Sequence, residues 1–192
     1  MWKRRSGKNS GGEVQVTPLT AFFAMAPSTE PLALSFSING GEMKGSNTES
    51  DNKLRQHIYR HFLRKGRAPT VAEMAEAMAA SMRQTRAALR RLCQTHAFVL
   101  QESGELWRAA PFSAVPTAFP VQVGKRSWYG NCIWDALGIP AMLHEDARID
   151  ASCGCCNLAM VLRIEKGRLL DRKGIIHIAV PACHWYDDIV FT

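Results

Sequence analysis

The sequence predicts an α+β protein: an N-terminal winged helix-turn-helix-like three-helix module followed by a small mixed α/β catalytic domain. Three observations predict it. Apolar residues recur at helical spacing in three successive stretches between Asp51 and Thr95. Two short strand-like runs flank a turn at Glu102–Glu105, in the order expected of a winged helix. Beyond a proline-rich stretch, short apolar runs of strand type surround one short helical run.

Residues 1–50 are rich in Gly, Ser, Thr, Asn and Pro and read as a poorly ordered leader. The basic start at Lys3-Arg4-Arg5 lies far from the apolar patch Leu19–Ala26, so a secretory signal is not expected. From Asp51, Leu54, Ile58, Phe62 and Leu63 mark an amphipathic helix ending near Gly66. Thr70 with Glu73 forms a capping box and starts a second helix, about 71–80. Ser81 with Gln84 repeats the device and starts a third, to about Thr95, with Thr85, Leu89 and Leu92 on its core face. Phe98–Leu100 and Leu106–Arg108 form the hairpin. These elements make residues 51–110 one domain.

The stretch from Pro111 to Pro120 has three prolines and reads as a linker or extended crossing. Residues 111–192 form the second domain. Val121–Val123 is a short strand, and Cys132–Leu143 a short helix stopped or kinked by Gly138 and Pro140. Leu158–Ile164 and Ile175–Val180 read as strands.

Composition bounds the function. The 192 residues are 46% hydrophobic and 21% charged, which excludes global disorder. No stretch approaches about 18 apolar residues, so an integral membrane protein is not expected. The net charge of +7 falls wholly within residues 53–108. Arg83, Arg86, Arg90, Arg91 and Gln84 on the third helix invite a DNA-reading interpretation. The plainer reading is that Arg and Lys solvate exposed helix faces.

Six cysteines remain, with Cys153, Cys155 and Cys156 crowded into four positions, which suits reactive or metal-binding thiols in a reducing cytosol. Cys132 and Asp135 stand three apart and share one face if both are helical. Asn131 is the expected N-cap, placing Cys132 in the first turn, where the dipole and free N–H groups lower a thiol pKa. Lys125 and Arg126 lie upstream to assist. Cys153-Gly154-Cys155-Cys156 offers several sulfurs to one soft metal ion, and Cys183 is a further candidate ligand. Cys93, beside Leu92, is read as structural.

Residues 53–192 resemble the alkylmercury (organomercurial) lyase family. The resemblance rests on an ordered set: 54–59 with 66–70, 111–117, 131–141, Cys153-Gly154-Cys155-Cys156, and 180–182 with Trp185 and 187–192. It implies protonolysis of a carbon–mercury bond to give Hg(II) and a hydrocarbon, using two cysteines and one aspartate. It implies no resident cofactor, free thiols as co-reactant, hand-over of Hg(II) to a mercuric reductase, and a cytoplasmic setting. Nucleic-acid and membrane partners are not implied. The family's C-x-x-D pair falls on Cys132 and Asp135, and a cysteine with a structural role falls on Cys153. The resemblance puts the second catalytic cysteine just past Thr192, so a truncated member or a substitute thiol is expected: Cys183, Cys155 or Cys156. Cys132, Cys153, Cys155, Cys156 and Cys183 are thus the expected mercury ligands, with Cys132 and Asp135 catalytic. The alternatives are a thiol-rich regulator with a DNA-binding winged helix and an inactive mercury-sequestering relative.

Overall fold

A computed structural model describes residues 45–153, 155–171, 174–176, 180–185 and 187. The chain divides into two compact units, one of residues 26–172 and one joining 1–25 with 173–192. In the larger unit, helices α1 (Gly45–Lys65), α2 (Val71–Ala77) and α3 (Met82–Cys93) precede strands β1 (Phe98–Leu100) and β2 (Leu106–Ala109). Then come β3 (Phe112–Ser113), β4 (Pro120–Val123), β5 (Arg126–Gly130), helix α4 (Ile133–Leu143), β6 (Ala147–Ser152), β7 (Ala159–Glu165) and β8 (Arg168–Leu169). The strands form one antiparallel sheet in the order β1-β2-β3-β5-β4-β6-β7-β8. The protein is therefore α+β, with helices and antiparallel sheet.

Both capping boxes form. Thr70 accepts from the Glu73 backbone N–H while Glu73 accepts from that of Thr70, and Ser81 and Gln84 do the same. Each box satisfies N–H groups that helix geometry leaves without partners. The core face of α3 is Thr85, Ala88, Leu89 and Leu92, all buried. Two contacts tie the hairpin to the helices: Glu105 accepts from the Val71 backbone N–H at 2.8 Å, and Arg86 donates to the Ser103 carbonyl at 3.0 Å.

Several boundaries differ from the sequence reading. Helix α1 begins before Asp51, at Gly45, and α2 ends at Ala77. Pro111–Pro120 is not wholly irregular, since Phe112 and Ser113 pair with both β2 and β5. Gly138 and Pro140 do not stop α4, which runs to Leu143. Proline costs a helix one hydrogen bond, and only three residues follow it here, so the loss is confined to the last turn. Strands β5, β6 and β8 were not expected. Of the strand expected at 175–180, residues 175, 176 and 180 are not in a strand, and 177–179 lie outside the described residues, as do 1–44 of the expected leader.

An aromatic cluster joins the helices to the sheet. Phe62 on α1 stacks on Phe112 of β3 with centroids 5.0 Å apart, and Phe112 meets Trp128 of β5 at 5.9 Å. Trp128 donates its indole N–H to the Phe62 carbonyl at 2.8 Å. Phe112 is fully buried. Replacing Phe112 with alanine is expected to cost about 3–5 kcal/mol. Urea denaturation should show that loss as a lower midpoint at an unchanged slope.

Candidate functional site

Strand β5 ends at Gly130, and α4 starts at Ile133. This junction is tight for a stated reason. A Cβ on Gly130 would stand 2.5 Å from the Ala136 backbone nitrogen and 2.7 Å from its Cα. Only glycine lets the first turn of α4 lie directly on the strand. Thr117 Oγ1 donates to the Gly130 carbonyl at 2.6 Å and fixes the strand end. Cys132 and Asp135 are thereby held at a defined place beside the sheet.

Asn131 does not cap α4. Cys132 is the N-cap, with extended backbone, and its side chain makes no capping bond. The Asn131 amide is used elsewhere: Nδ2 donates to Asp135 Oδ2 at 2.8 Å and to the Pro111 carbonyl at 3.3 Å. Asparagine here orients the carboxyl and links it to the segment before β3.

The electrostatics also correct the sequence reading. Burial pushes the Cys132 thiol above its ordinary value, although the Asp135 and Trp134 backbone N–H groups and the Arg108 charge pull the other way. The helix terminus thus acts as expected but is outweighed by loss of solvent. Burial likewise raises the Asp135 carboxyl, against the opposing effects of the Asn131 hydrogen bond and Arg108. Arg126 is occupied with Glu145 at 2.7 Å and with the Trp128 ring. Arg108 on β2 is the cation whose charge acts on both groups. Sequence reading missed it; the one signal was a lone charge in the strand Leu106-Trp107-Arg108-Ala109.

The thiol cluster occupies the tip of the β6–β7 hairpin. The Cys153 N–H donates to the Leu158 carbonyl, and the Asn157 N–H to that of Cys153, both at 2.8 Å. Cys153 Sγ accepts from the Cys156 and Cys155 backbone N–H groups and from the Cys156 thiol, which lowers its pKa. Cys155 and Cys156 are exposed. Among the described residues, no group of three or more His, Cys, Asp or Glu side chains is arranged to hold a metal ion. Cys183 is exposed on a 3-10 turn, Ala182–His184, in the smaller unit. Cys93 is half-buried, and burial raises its thiol.

Elsewhere, a cavity of about 260 Å³ lies among the three N-terminal helices, lined by residues that include Leu54, Met78, Thr85 and Arg91. It holds none of the expected site residues. No helix among the described residues is long and apolar enough to cross a membrane.

Two comparisons bear on this geometry. Residues 112–191 match the family model described as alkylmercury lyase. A solved structure, the mercury-bound form of MerB2, is similar at 18% identity and a TM-score of 0.50, covering 68% of each chain. That likeness speaks to the fold. No curated protein sequence matches the chain. The segment that carries Cys132 and Asp135 is thus similar to the alkylmercury lyase family, as the sequence resemblance led one to expect.

Two outcomes check the site. Gly130→Ala should cost about 1–3 kcal/mol, because backbone rather than a flexible side chain must give way. Its denaturation curve tests this. Asp135→Asn should raise stability near pH 7. A carboxyl whose pKa is raised on folding weakens the native state once pH exceeds its unfolded value. The gain should shrink towards pH 3, where the carboxyl becomes neutral in the folded and the unfolded chain alike. Melting temperatures of both proteins across that range measure it.

Proposed function

We propose that this chain, whose residues 112–191 match the alkylmercury lyase family, cleaves carbon–mercury bonds by protonolysis. One observation carries the reading: a half-buried carboxyl with raised pKa stands one helical turn from a half-buried thiol, oriented by Asn131. The solved structure of similar fold is a mercury-bound form, which agrees with mercury as the element handled.

The steps follow from the chemistry of the groups. Mercury is soft, and thiolate is its best protein ligand. Cys132 loses its proton and binds R–Hg⁺ through sulfur. A second thiol binds the same mercury and releases its proton to the Asp135 side. Asp135, whose acid form is favoured by burial, donates to the carbon as the C–Hg bond breaks. The bonding pair of that bond becomes the new C–H bond, giving R–H. Hg(II) stays on the two sulfurs, and Asp135 regains its proton from the thiol. The overall exchange is one thiol proton for one mercury–carbon bond, so no resident cofactor is required.

The second sulfur comes from Cys183, Cys155 or Cys156, and free thiols in solution then carry Hg(II) away, ultimately to a mercuric reductase. The setting is cytoplasmic. The three helices and hairpin act as a winged-helix-like packing module of residues 51–110 for a catalytic part of 111–192. Three of the five third-helix groups considered for DNA contact are engaged internally in its support: Arg91 with Asp51, Arg86 with Ser103, and Gln84 with Ser81.

Incubation of an organomercurial with the protein and excess free thiol should release hydrocarbon and Hg(II). Cys132→Ser should abolish release, and Asp135→Ala should lower it by about 100-fold or more. Turnover should fall as pH rises through the raised Asp135 pKa, because the acid form is the donor. Equal rates for wild type and Cys132→Ser would defeat the assignment. Tight Hg(II) binding without hydrocarbon release would identify a sequestering protein instead.

A further inference from the structure

Arg108 differs from the other arginines of the large unit whose contacts are known. Arg91 holds Asp51 through two hydrogen bonds, and Arg67, Arg126, Arg148 and Arg163 each pair with a carboxylate. Arg108 is half-buried, and its Nε is sealed from solvent without a hydrogen-bond partner. It makes no ion pair among the described residues. A guanidinium N–H sealed from water without a partner is costly, and native structures seldom keep one without use.

Its position supplies a use. Arg108 lies opposite Ser113 in the β2–β3 register, and Ser113 lies opposite Tyr129 in the β3–β5 register. Two residues after Tyr129, Asn131 donates back to the Pro111 carbonyl. The strand ladder therefore brings Arg108 to the same side of the sheet region as the Asn131–Asp135 pair, and its charge reaches both Cys132 and Asp135. Asp135 feels that charge but makes no ion pair with Arg108 among the described residues; its hydrogen bond comes from Asn131.

We propose that Arg108 is an anion-binding residue of the site, and that it selects organomercurials whose organic group carries a carboxylate. A planar guanidinium matches a carboxylate in two-point geometry, which a point charge does not. The substrate class rests on the lyase reading above; the anion site does not. Mercury sits on Cys132, and the carboxylate of the organic group supplies the partner that Arg108 lacks.

The test separates the two. Iodoacetate and iodoacetamide attack the same thiolate and differ chiefly in a carboxylate, so their rate ratio at Cys132 is independent of how much thiolate is present. Peptide mass spectrometry reads that ratio residue by residue. In the wild type the iodoacetate-to-iodoacetamide ratio at Cys132 should exceed that of free cysteine by about tenfold, the effect of one charge-assisted hydrogen bond. Arg108→Gln should remove the excess, and Arg108→Lys should restore part of it. A wild-type ratio at or below that of free cysteine overturns the proposal without any variant. So does an unchanged ratio in Arg108→Gln. A second arm compares kcat/KM for para-carboxyphenylmercury with that for phenylmercury. The preference for the former should fall about tenfold in Arg108→Gln. If the alkylation ratio behaves as stated but no mercurial yields hydrocarbon, the anion site stands and the lyase reading fails. If hydrocarbon forms but neither ratio moves, the lyase reading stands and the anion site fails.

Discussion

The rest of the structure depends on how the indole of Trp128 is held. Its N–H reaches the Phe62 carbonyl, and its ring packs on Phe112, which stacks on Phe62. Phe62 sits three residues from the end of α1, where its carbonyl also accepts the Gly66 N–H. One side chain of β5 is thus bound to the last turn of the first helix. Because β5 runs directly into Gly130 and α4, the same contact sets where Cys132 and Asp135 lie. Tyr59, one turn earlier, reinforces it by donating to the Ala110 carbonyl at 2.9 Å. The helical part and the sheet part are thereby one structural argument, whatever functional division is drawn between them.

At the site two physical effects compete, and their magnitudes decide the outcome. A helix N-terminus offers a thiol roughly half a unit of positive charge, worth about 0.3–1 kcal/mol near the surface. Removing a thiolate from water works against the charged form and grows with burial, up to several pKa units. For Cys132 the second wins, so the thiol is held as the acid until a soft cation replaces its proton. The carboxyl of Asp135 is pushed in the same direction by the same burial. Two neighbouring acids whose protonated forms are both favoured by burial make a poor ion-pair site. They suit a site where a proton is to be moved and a soft cation bound.

The sequence showed most clearly what local chemistry controls. Thr70 with Glu73 and Ser81 with Gln84 announced two helix starts because a capping box is made within four residues. Thr85, Leu89 and Leu92 announced the buried face of α3 because helical period is local too. Cys132 and Asp135 were legible as a pair for the same reason. The misreadings concern residues whose role is fixed at long range. Asn131 looks like a cap, but its amide is claimed by Asp135 and by the Pro111 carbonyl, twenty residues away in sequence. In β6, Ala147 and Ile149 are buried and Arg148 and Asp150 exposed, an alternation that two charges and a short length conceal. In β5, Arg126 and Ser127 hide a strand whose stability comes from pairing with both β3 and β4. Arg108 had no signal beyond being the one charge in its strand.

The concentration of positive charge between residues 53 and 108 changes meaning once partners are assigned. Arg91 lies against Asp51, whose side chain is only 8% exposed, so that pair joins α1 to α3 where solvent screens it little. Arg67 grips Glu73 in two hydrogen bonds, and that same carboxylate caps α2, so one acidic group serves two structural purposes. Arg86 reaches across to the hairpin turn through a backbone carbonyl, a bond that leaves its charge uncompensated but fixes its direction. Each of these cations is positioned by intramolecular demands of the packing, not by a shared outward face. Net charge describes solubility and steering of ions and does not fix which surface reads a polymer. A basic segment whose side chains point to different internal partners is weak evidence for a nucleic-acid groove. Arg108, whose Nε has no hydrogen-bond partner among the described residues, acts instead on the thiol–carboxyl pair.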